Sequence, residues 1–192
     1  YAVRELLSEE EQRVWHTAER FVDDKVLPVI AEAFDAHRFP AELIPEMGSL
    51  GMLGCNLEGY GCAGLDNICY GLICQELGRC DSGLRAMFSV QNSLVMFPIY
   101  RFGSEKQRAK WLPEMARGTV IGCFGLSEPG FGSNSGGMET RAQKNKSGYV
   151  LNGKKMWITN GTTAKVAIIW AKCDDDIRGF LVETDRTGFR AT

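Results

Sequence analysis

The sequence predicts an α+β fold in which an all-α helical domain, residues 1–117, precedes an antiparallel β-domain, residues 118–192. Apolar residues recur at three- and four-residue steps as far as Gly118, which is the period of amphipathic helices. After Gly118 they alternate with polar residues or form short runs, which is typical of β-strands. A sheet of about five strands leaves open edges that proteins usually pair or cover, so we expect the β-domain to be truncated.

The first helix is predicted by a capping box and an apolar stripe. Ser8 precedes Glu11 by three residues, the spacing at which each side chain bonds the backbone N–H group of the other residue. The stripe then runs from Val14 to Ala33. Pro28 falls inside it and has no N–H group to donate, so it should kink the helix or split it in two.

The other helices of this domain are predicted from the same kinds of signal. A proline in a first turn, a serine–glutamine capping box and glycines after the last apolar residues mark their ends. The segment 84–100 has so little charge that it should lie centrally in the bundle, whereas the glycine-rich segment 54–64 should be a loop. The predicted helices cover residues 40–51, 66–80, 84–100 and 104–118.

Several short segments of the β-domain have strand character. Asn152-Gly153 is a dipeptide typical of tight hairpin turns, so the segments on either side of it should pair. The acidic sequence Asp174-Asp175-Asp176 should form the turn between the last two strands. The predicted strands cover residues 120–126, 138–144, 149–151, 155–159, 164–172 and 179–183.

Composition argues against several classes of function. A formal net charge of -2 and a pI near 5.8 provide no basic face for nucleic acid. No run of about 18 apolar residues is present, so no membrane span is expected. The seven cysteines form no Cys-x-x-Cys pair and the two histidines lie far from them, so we expect reduced buried thiols and no metal site. Backbone N–H groups can still bind a phosphate-bearing cofactor.

The segment from Cys123 to Ser133 follows a predicted strand and combines glycines with hydroxyl groups. Glycine lets the backbone approach a ligand closely, and Ser127 and Ser133 can donate to ring carbonyls or phosphate oxygens. The segment is not a dinucleotide-binding fingerprint of the Rossmann type, because no helical pattern follows it. On composition alone, a plain surface loop is the favoured interpretation.

A second segment, Trp157 to Asn160, ends a predicted strand. Trp157 offers a flat apolar surface, and Thr159 beside it offers a hydroxyl group and a backbone N–H group. Such a pair suits a planar heteroaromatic cofactor. For Trp157 taken alone, an ordinary core tryptophan at a strand end is the favoured interpretation.

Taken together, the two segments resemble the acyl-CoA dehydrogenase family. Residues 126–133 read Leu-Ser-Glu-Pro-Gly-Phe-Gly-Ser and residues 152–160 read Asn-Gly-Lys-Lys-Met-Trp-Ile-Thr-Asn, which match two motifs of the family's middle domain in order and spacing. Asn134 departs from the aspartate common after the Gly-Ser pair. The resemblance implies that FAD is the cofactor and that it is lined by Phe124, Gly125, Leu126, Ser127, Gly132, Ser133, Trp157, Ile158 and Thr159.

Other segments resemble the glutaryl-CoA dehydrogenase branch of that family, namely residues 59–64, 81–85, 89–96, 138–142 and 177–180. This resemblance implies that Arg85 and Ser89 hold the distal carboxylate of the substrate, and that Ala86 and Ser133 also contact the substrate. Four-residue spacing places Arg85 and Ser89 on one helix face, and a guanidinium suits a carboxylate. Two observations leave this assignment open. Asp81 is also four residues from Arg85 and could pair with it, and Gly78 replaces the acidic residue usual in the branch.

The resemblance further implies α,β-dehydrogenation of an acyl-CoA, with electrons passed to an electron-transferring flavoprotein and, for glutaryl-CoA, decarboxylation to crotonyl-CoA. The catalytic base of the family is a glutamate in a C-terminal helical domain, so no catalytic base is expected within these 192 residues, and Glu128 is not assigned that role. A homo-oligomer in a bacterial cytoplasm or a mitochondrial matrix is expected. The alternatives are a dehydrogenase of another short-chain acyl-CoA or a truncated, non-catalytic binding or assembly module.

Overall fold

The structure is a computed structural model that describes residues 3–192 of the chain. Its residues form two compact units, a helical unit that ends at Val120 and a sheet unit that runs from Ile121 to Thr192. The α+β fold class predicted from the sequence is therefore confirmed.

The N-terminal helices follow the predicted capping box and proline. α1 spans Glu9–Phe21, and both bonds of the capping box between Ser8 and Glu11 are present. A π-helical turn, Val22–Val26, and then α2, Leu27–Asp35, continue the stripe, with the proline in the first turn of α2. The predicted split at Pro28 is wrong, because the backbone stays helical from α1 through the π-helical turn into α2. The hydrogen bonding changes from the α to the π pattern in the turn just before the proline, which has no N–H group to donate.

The remaining helices agree with the predicted segments except at one place. The segment predicted as a single helix, 84–100, comprises α5, a π-helical segment and α6, whereas the other three predicted segments each contain one α-helix. The bounds are α3 Ile44–Ser49, α4 Asn67–Cys80, α5 Ser82–Ser89, the π-helical segment Val90–Met96, α6 Phe97–Phe102 and α7 Glu105–Ala116.

The π-helical segment Val90–Met96 lies in the core of the helical unit, as the low charge of its sequence predicts. Phe88, Val95 and Met96 around it are fully buried. Asn92 is buried as well, and its side chain donates to the Phe88 carbonyl over 2.9 Å and accepts from the Gly54 N–H. A buried amide that satisfies both backbone groups fixes this segment to the loop that begins at Gly54.

The sheet unit contains five strands within the described residues, and they form one mixed sheet. β4 pairs in antiparallel fashion with β5, and β2 with β3, whereas β1 and β2 each lie parallel to β4. The antiparallel arrangement predicted for the whole sheet is therefore wrong at β1 and at the β2–β4 contact. The long connection from β1 to β4 permits this parallel pairing. The strands are β1 Gly122–Gly125, β2 Arg141–Asn145, β3 Gly148–Asn152, β4 Val166–Cys173 and β5 Asp176–Glu183.

The hairpin predicted at Asn152-Gly153 is also wrong. The tight turn lies instead at Lys146-Ser147, between β2 and β3, and residues 155–159 form no strand. Glycine is needed at position 153 for a steric reason, because a Cβ built there would lie 2.1 Å from the Thr140 Oγ1 atom. The chain therefore needs glycine there in order to pass close beside Thr140.

In residues 3–192 no helix combines the length and the apolar character that crossing a membrane requires. All seven thiols are free, and those of Cys55, Cys69, Cys123 and Cys173 are buried. Burial raises the pKa of the Cys55 thiol to about 12, so this group stays protonated at neutral pH.

Candidate functional site

The predicted cofactor residues of the sheet unit lie on β1 and on two loops. The first loop, residues 126–137, leaves the end of β1, and the second loop, residues 153–163, leads into β4. The second loop runs along the edge of β1: the Met156 N–H donates to the Ser127 carbonyl over 2.9 Å, and the Asn160 side chain donates to the Gly122 carbonyl over 3.1 Å. The structure thus brings the two sequence motifs side by side.

A buried ion pair locks the two loops together. Lys155 Nζ lies 2.8 Å from Glu128 Oε1, and the two side chains are 8% and 3% exposed. Lys155 also donates to the Leu126 carbonyl over 3.0 Å. The carboxylate of Glu128 further accepts the backbone N–H groups of Glu139 and Thr140, over 2.6 and 3.0 Å. Four hydrogen bonds therefore converge on one buried charged pair, which fixes the course of the first loop.

Glu128 remains ionised in this environment. Burial by itself would raise the pKa of its carboxyl group, but the hydrogen bonds from Lys155, Thr140 and Glu139 outweigh burial and lower the pKa to about 2. A carboxylate held this firmly is a poor proton acceptor, which agrees with the sequence-based decision not to assign Glu128 as the base. Sequence reasoning identified no role for Lys155, although it lies within the second motif.

Gly125 is required by packing between the loops. A Cβ built on this buried residue would lie 2.7 Å from the Ile169 Cδ1 atom and 3.2 Å from the Lys155 Cγ atom. The missing side chain makes room for the stem of Lys155 on its way to Glu128. Gly132 differs, because a Cβ there would meet nothing within 4 Å. Packing within the described residues therefore explains glycine at position 125 and leaves position 132 open to a ligand.

Trp157 is the most unusual residue of the second loop. Its side chain is 85% exposed, and its backbone adopts the left-handed conformation with φ of 59°. For a bulky residue this conformation is an outlier that costs on the order of 1–3 kcal/mol, and such strain clusters at functional sites. The structure thus corrects the expectation of a strand end at this position. A large aromatic surface is held in water at the edge of the sheet.

Three hydroxyl groups of the two loops have no hydrogen-bond partner within the described part of the chain, namely those of Ser127, Ser133 and Thr159. The remaining predicted residues lie beside them. Ile158 packs against the cluster of Cys123, Ala164 and Ala167, Phe124 contacts Trp170 edge-on with ring centroids 6.0 Å apart, and Leu126 is half-buried. Unpaired hydroxyl donors and an exposed indole on the same two loops suit a planar ligand with polar edges.

In the helical unit, Arg85 is exposed on α5 and forms no ion pair within residues 3–192. Asp81, its possible partner, instead caps α5, because its Oδ1 atom accepts the Leu84 N–H over 2.6 Å. A Cβ built on Gly78 would lie 3.4 Å from the Arg85 Cδ atom, so the stem of the arginine passes over this glycine. The guanidinium group is consequently available to an external anion.

Ser89 lies one turn after Arg85 and is contacted by a residue that sequence reasoning missed. The Tyr70 hydroxyl group of α4 lies 3.3 Å from the Ser89 Oγ atom and 2.9 Å from the Ser93 Oγ atom. One indication of this contact was present in the sequence. Tyr70, Cys74 and Gly78 are spaced four residues apart, which places all three on one face of α4. Ala86, the other predicted substrate residue of this unit, is half-buried on α5.

Comparison with known families assigns both units. The sequence profile described as "Acyl-CoA dehydrogenase, N-terminal domain" matches residues 8–119. The profile described as "Acyl-CoA dehydrogenase, middle domain" matches residues 123–192. Together they cover nearly the whole chain.

The individual relatives are named for different acyl-CoA substrates. A crystal structure of a glutaryl-CoA dehydrogenase from Mycobacterium smegmatis in complex with FADH2 is 52% identical, with a TM-score of 0.97 over 100% of this chain and 50% of that chain. Butyryl-CoA dehydrogenase from Megasphaera elsdenii is 36% identical, with a TM-score of 0.88 over 95% of this chain and 50% of that chain. The mitochondrial short-chain specific acyl-CoA dehydrogenase of Homo sapiens is 38% identical over 88% of this chain and 41% of its own length. The chain thus spans about half the length of these relatives or less.

Proposed function

Because the chain belongs to the acyl-CoA dehydrogenase family, we propose that it provides the flavin-binding wall and the substrate-tail clamp of an FAD-dependent glutaryl-CoA dehydrogenase. The observation that carries the choice of substrate is Arg85, an arginine without an ion partner among the described residues that lies one helical turn from the Ser89 hydroxyl. A cation and a hydroxyl on one helix face are what a distal carboxylate requires.

The residues of the sheet unit fit FAD. An isoalloxazine ring has a flat apolar face and carbonyl and nitrogen acceptors along its edges. Trp157 supplies an exposed aromatic surface, and the free hydroxyl groups of Ser127, Ser133 and Thr159 supply donors. Covering Trp157 with the ring would offset the cost of its exposure and of its strained backbone. Preorganised donors would also stabilise the negative charge that develops on the reduced ring.

The proposed reaction removes two hydrogens from the substrate. When bound, FAD would supply the acceptor for the β-hydride, while a base would take the α-proton and leave a Cα–Cβ double bond in the acyl chain. With a glutaryl substrate, the distal carboxylate would then leave as carbon dioxide, and the remaining carbanion would take up a proton to give crotonyl-CoA. We assign the base to a glutamate outside these 192 residues, since Glu128 is already committed to Lys155.

A straight-chain acyl-CoA is the second candidate substrate. Gly78 favours it, because the acidic residue that the glutaryl-CoA branch has at this position is absent beside Arg85. The similarity to butyryl-CoA and short-chain dehydrogenases agrees with this alternative. We further propose an electron-transferring flavoprotein as the redox partner, a homo-oligomeric assembly, and a location in a bacterial cytoplasm or a mitochondrial matrix.

The test of substrate class compares Arg85→Ala with wild type in the full-length protein. We expect kcat/KM for glutaryl-CoA to fall by roughly 100-fold, since a charge-assisted pair is lost, while kcat/KM for butyryl-CoA changes less than about twofold. Arg13→Ala is the matched control, because Arg13 is an exposed helix arginine that forms an ion pair with the exposed Glu9. Equal losses on both substrates would rule out the carboxylate clamp.

A purified full-length protein that shows no flavin absorbance and no turnover of either substrate would favour a non-catalytic binding module instead. Its intact mass, measured in parallel, would establish the length of the polypeptide under test.

A further inference from the structure

We propose that Tyr70 is a positioning residue that orients the Ser89 hydroxyl as a hydrogen-bond donor toward the distal carboxylate of the substrate. This inference rests on the proposed function, since it concerns the same carboxylate clamp. It adds a residue of a different helix, α4, to the pair on α5, and it makes Tyr70 a determinant of substrate specificity.

The clamp is built from two facing rows of side chains. One row lies on α4 and consists of Tyr70, Cys74 and Gly78, and the other contains Arg85 and Ser89. The Tyr70 hydroxyl lies 3.3 Å from the Ser89 Oγ atom, and Gly78 faces the stem of Arg85. No residue of the α4 row brings a formal charge to the arginine. The Tyr70 hydroxyl is the group of this row that hydrogen-bonds to Ser89 of the clamp.

The direction of the hydrogen bonds follows from proton counting. A tyrosine hydroxyl has one proton and can also accept. In the structure Tyr70 donates to the Ser89 Oγ atom over 3.3 Å, so the contact of 2.9 Å with the Ser93 Oγ atom is a bond that Tyr70 accepts. The chain from Ser93 through Tyr70 to Ser89 occupies a lone pair of Ser89 and leaves the Ser89 proton unused. That proton is then free to donate to a carboxylate held by Arg85.

Packing fixes the position of the Tyr70 side chain. Its ring stacks on Phe88, with centroids 5.4 Å apart and planes inclined by 22°, and Phe88 is fully buried. Burial raises the pKa of the Tyr70 hydroxyl, so the group keeps its proton at neutral pH and remains a donor. A donor fixed by packing orients its acceptor without an entropic cost at the time of binding.

The test is Tyr70→Phe in the full-length holoenzyme, which removes the hydroxyl and keeps the stacked ring. We expect KM for glutaryl-CoA to rise roughly five- to tenfold with kcat changed less than about twofold, since a hydrogen bond that supports a charged group is weakened. KM for butyryl-CoA should not change. Tyr100→Phe is the control, because Tyr100 is a half-buried tyrosine whose ring packs edge-on against Tyr60.

Four outcomes decide between the positioning role of Tyr70, a merely structural role and failure of the proposed substrate. In a Ser89→Ala background, Tyr70→Phe should add nothing, and an additive loss would overturn the positioning role. An equal rise in KM for both substrates would likewise overturn it, because a merely structural residue acts on both. If wild type does not prefer glutaryl-CoA, the proposed substrate fails. If wild type prefers it but Tyr70→Phe equals wild type, only the present inference fails.

Discussion

Replacement of Glu128 by glutamine should strongly destabilise the sheet unit. The pKa of Glu128 is about 2 in the folded protein against an ordinary value of 4.5. This difference corresponds to about 3 kcal/mol of folding free energy at pH 7. The substitution also leaves the charge of Lys155, whose side chain is 8% exposed, without its partner. We therefore expect the free energy of unfolding to fall by about 3–5 kcal/mol.

The effect should depend on pH in a defined direction. The folded-state pKa of Glu128 is lowered, so its contribution is fully present above the unfolded value of 4.5 and is lost as pH falls through about 2. The difference in unfolding free energy between wild type and Glu128→Gln should therefore shrink by roughly 2 kcal/mol between pH 7 and pH 3.

The assay is urea unfolding at several pH values, followed by tryptophan fluorescence and far-UV circular dichroism. Asp176→Asn is the control within the same unit, since Asp176 and Arg178 form an exposed pair 3.2 Å apart, and it should change stability by less than about 1 kcal/mol. Removing both buried charges in Glu128→Gln/Lys155→Met should be less harmful than removing Glu128 alone. A loss of unfolding free energy below about 1 kcal/mol for Glu128→Gln at pH 7 would refute the role of the buried ion pair. So would a difference in unfolding free energy from wild type that does not vary with pH.

Further outcomes concern the cofactor and the glycines of the helical unit. Trp157→Ala should leave the free energy of unfolding within about 0.5 kcal/mol of wild type while FAD affinity drops at least roughly tenfold by absorbance titration; unchanged affinity would remove Trp157 from the flavin site. Gly78→Ala should stabilise α4 by roughly 0.5–1 kcal/mol, since its Cβ would make ordinary contact with Arg85, and any loss of stability in urea unfolding would contradict this. Gly48→Ala, whose Cβ would lie 2.5 Å from the Arg117 carbonyl carbon, should instead destabilise by more than about 1 kcal/mol, and equal effects of the two substitutions would refute the packing argument.

Much of the helical unit could be predicted because its signals are local. The capping box of Ser8 and Glu11 and the capping box of Ser104 and Gln107 each act within one helical turn. Each signal depends only on residues that are close together in sequence, so the sequence was sufficient to predict where these helices begin. The same holds for the alternation that predicted β2, whereas the hairpin predicted between residues 149–151 and 155–159 is not formed.

Features that depend on contacts between residues far apart in sequence could be determined only from the tertiary structure. Gly153 is explained by the close approach of Thr140 at the end of the neighbouring strand and not by a turn. The parallel pairing of β1 with β4 is permitted by the long connection between them. Within the candidate site, the motifs indicated which loops matter, but they did not indicate the Lys155–Glu128 lock across 27 residues.

The pairing of Tyr70 with Ser89 across 19 residues was equally hidden. Local sequence patterns predict the secondary structure of a segment. Buried ion pairs and hydrogen bonds between side chains depend instead on which segments pack together. The sequence by itself therefore identified the family motifs and most of the helices. Only the packed structure determined which side chains hold those motifs in place, because the free energy of such contacts depends on burial, and burial exists only after the chain has folded.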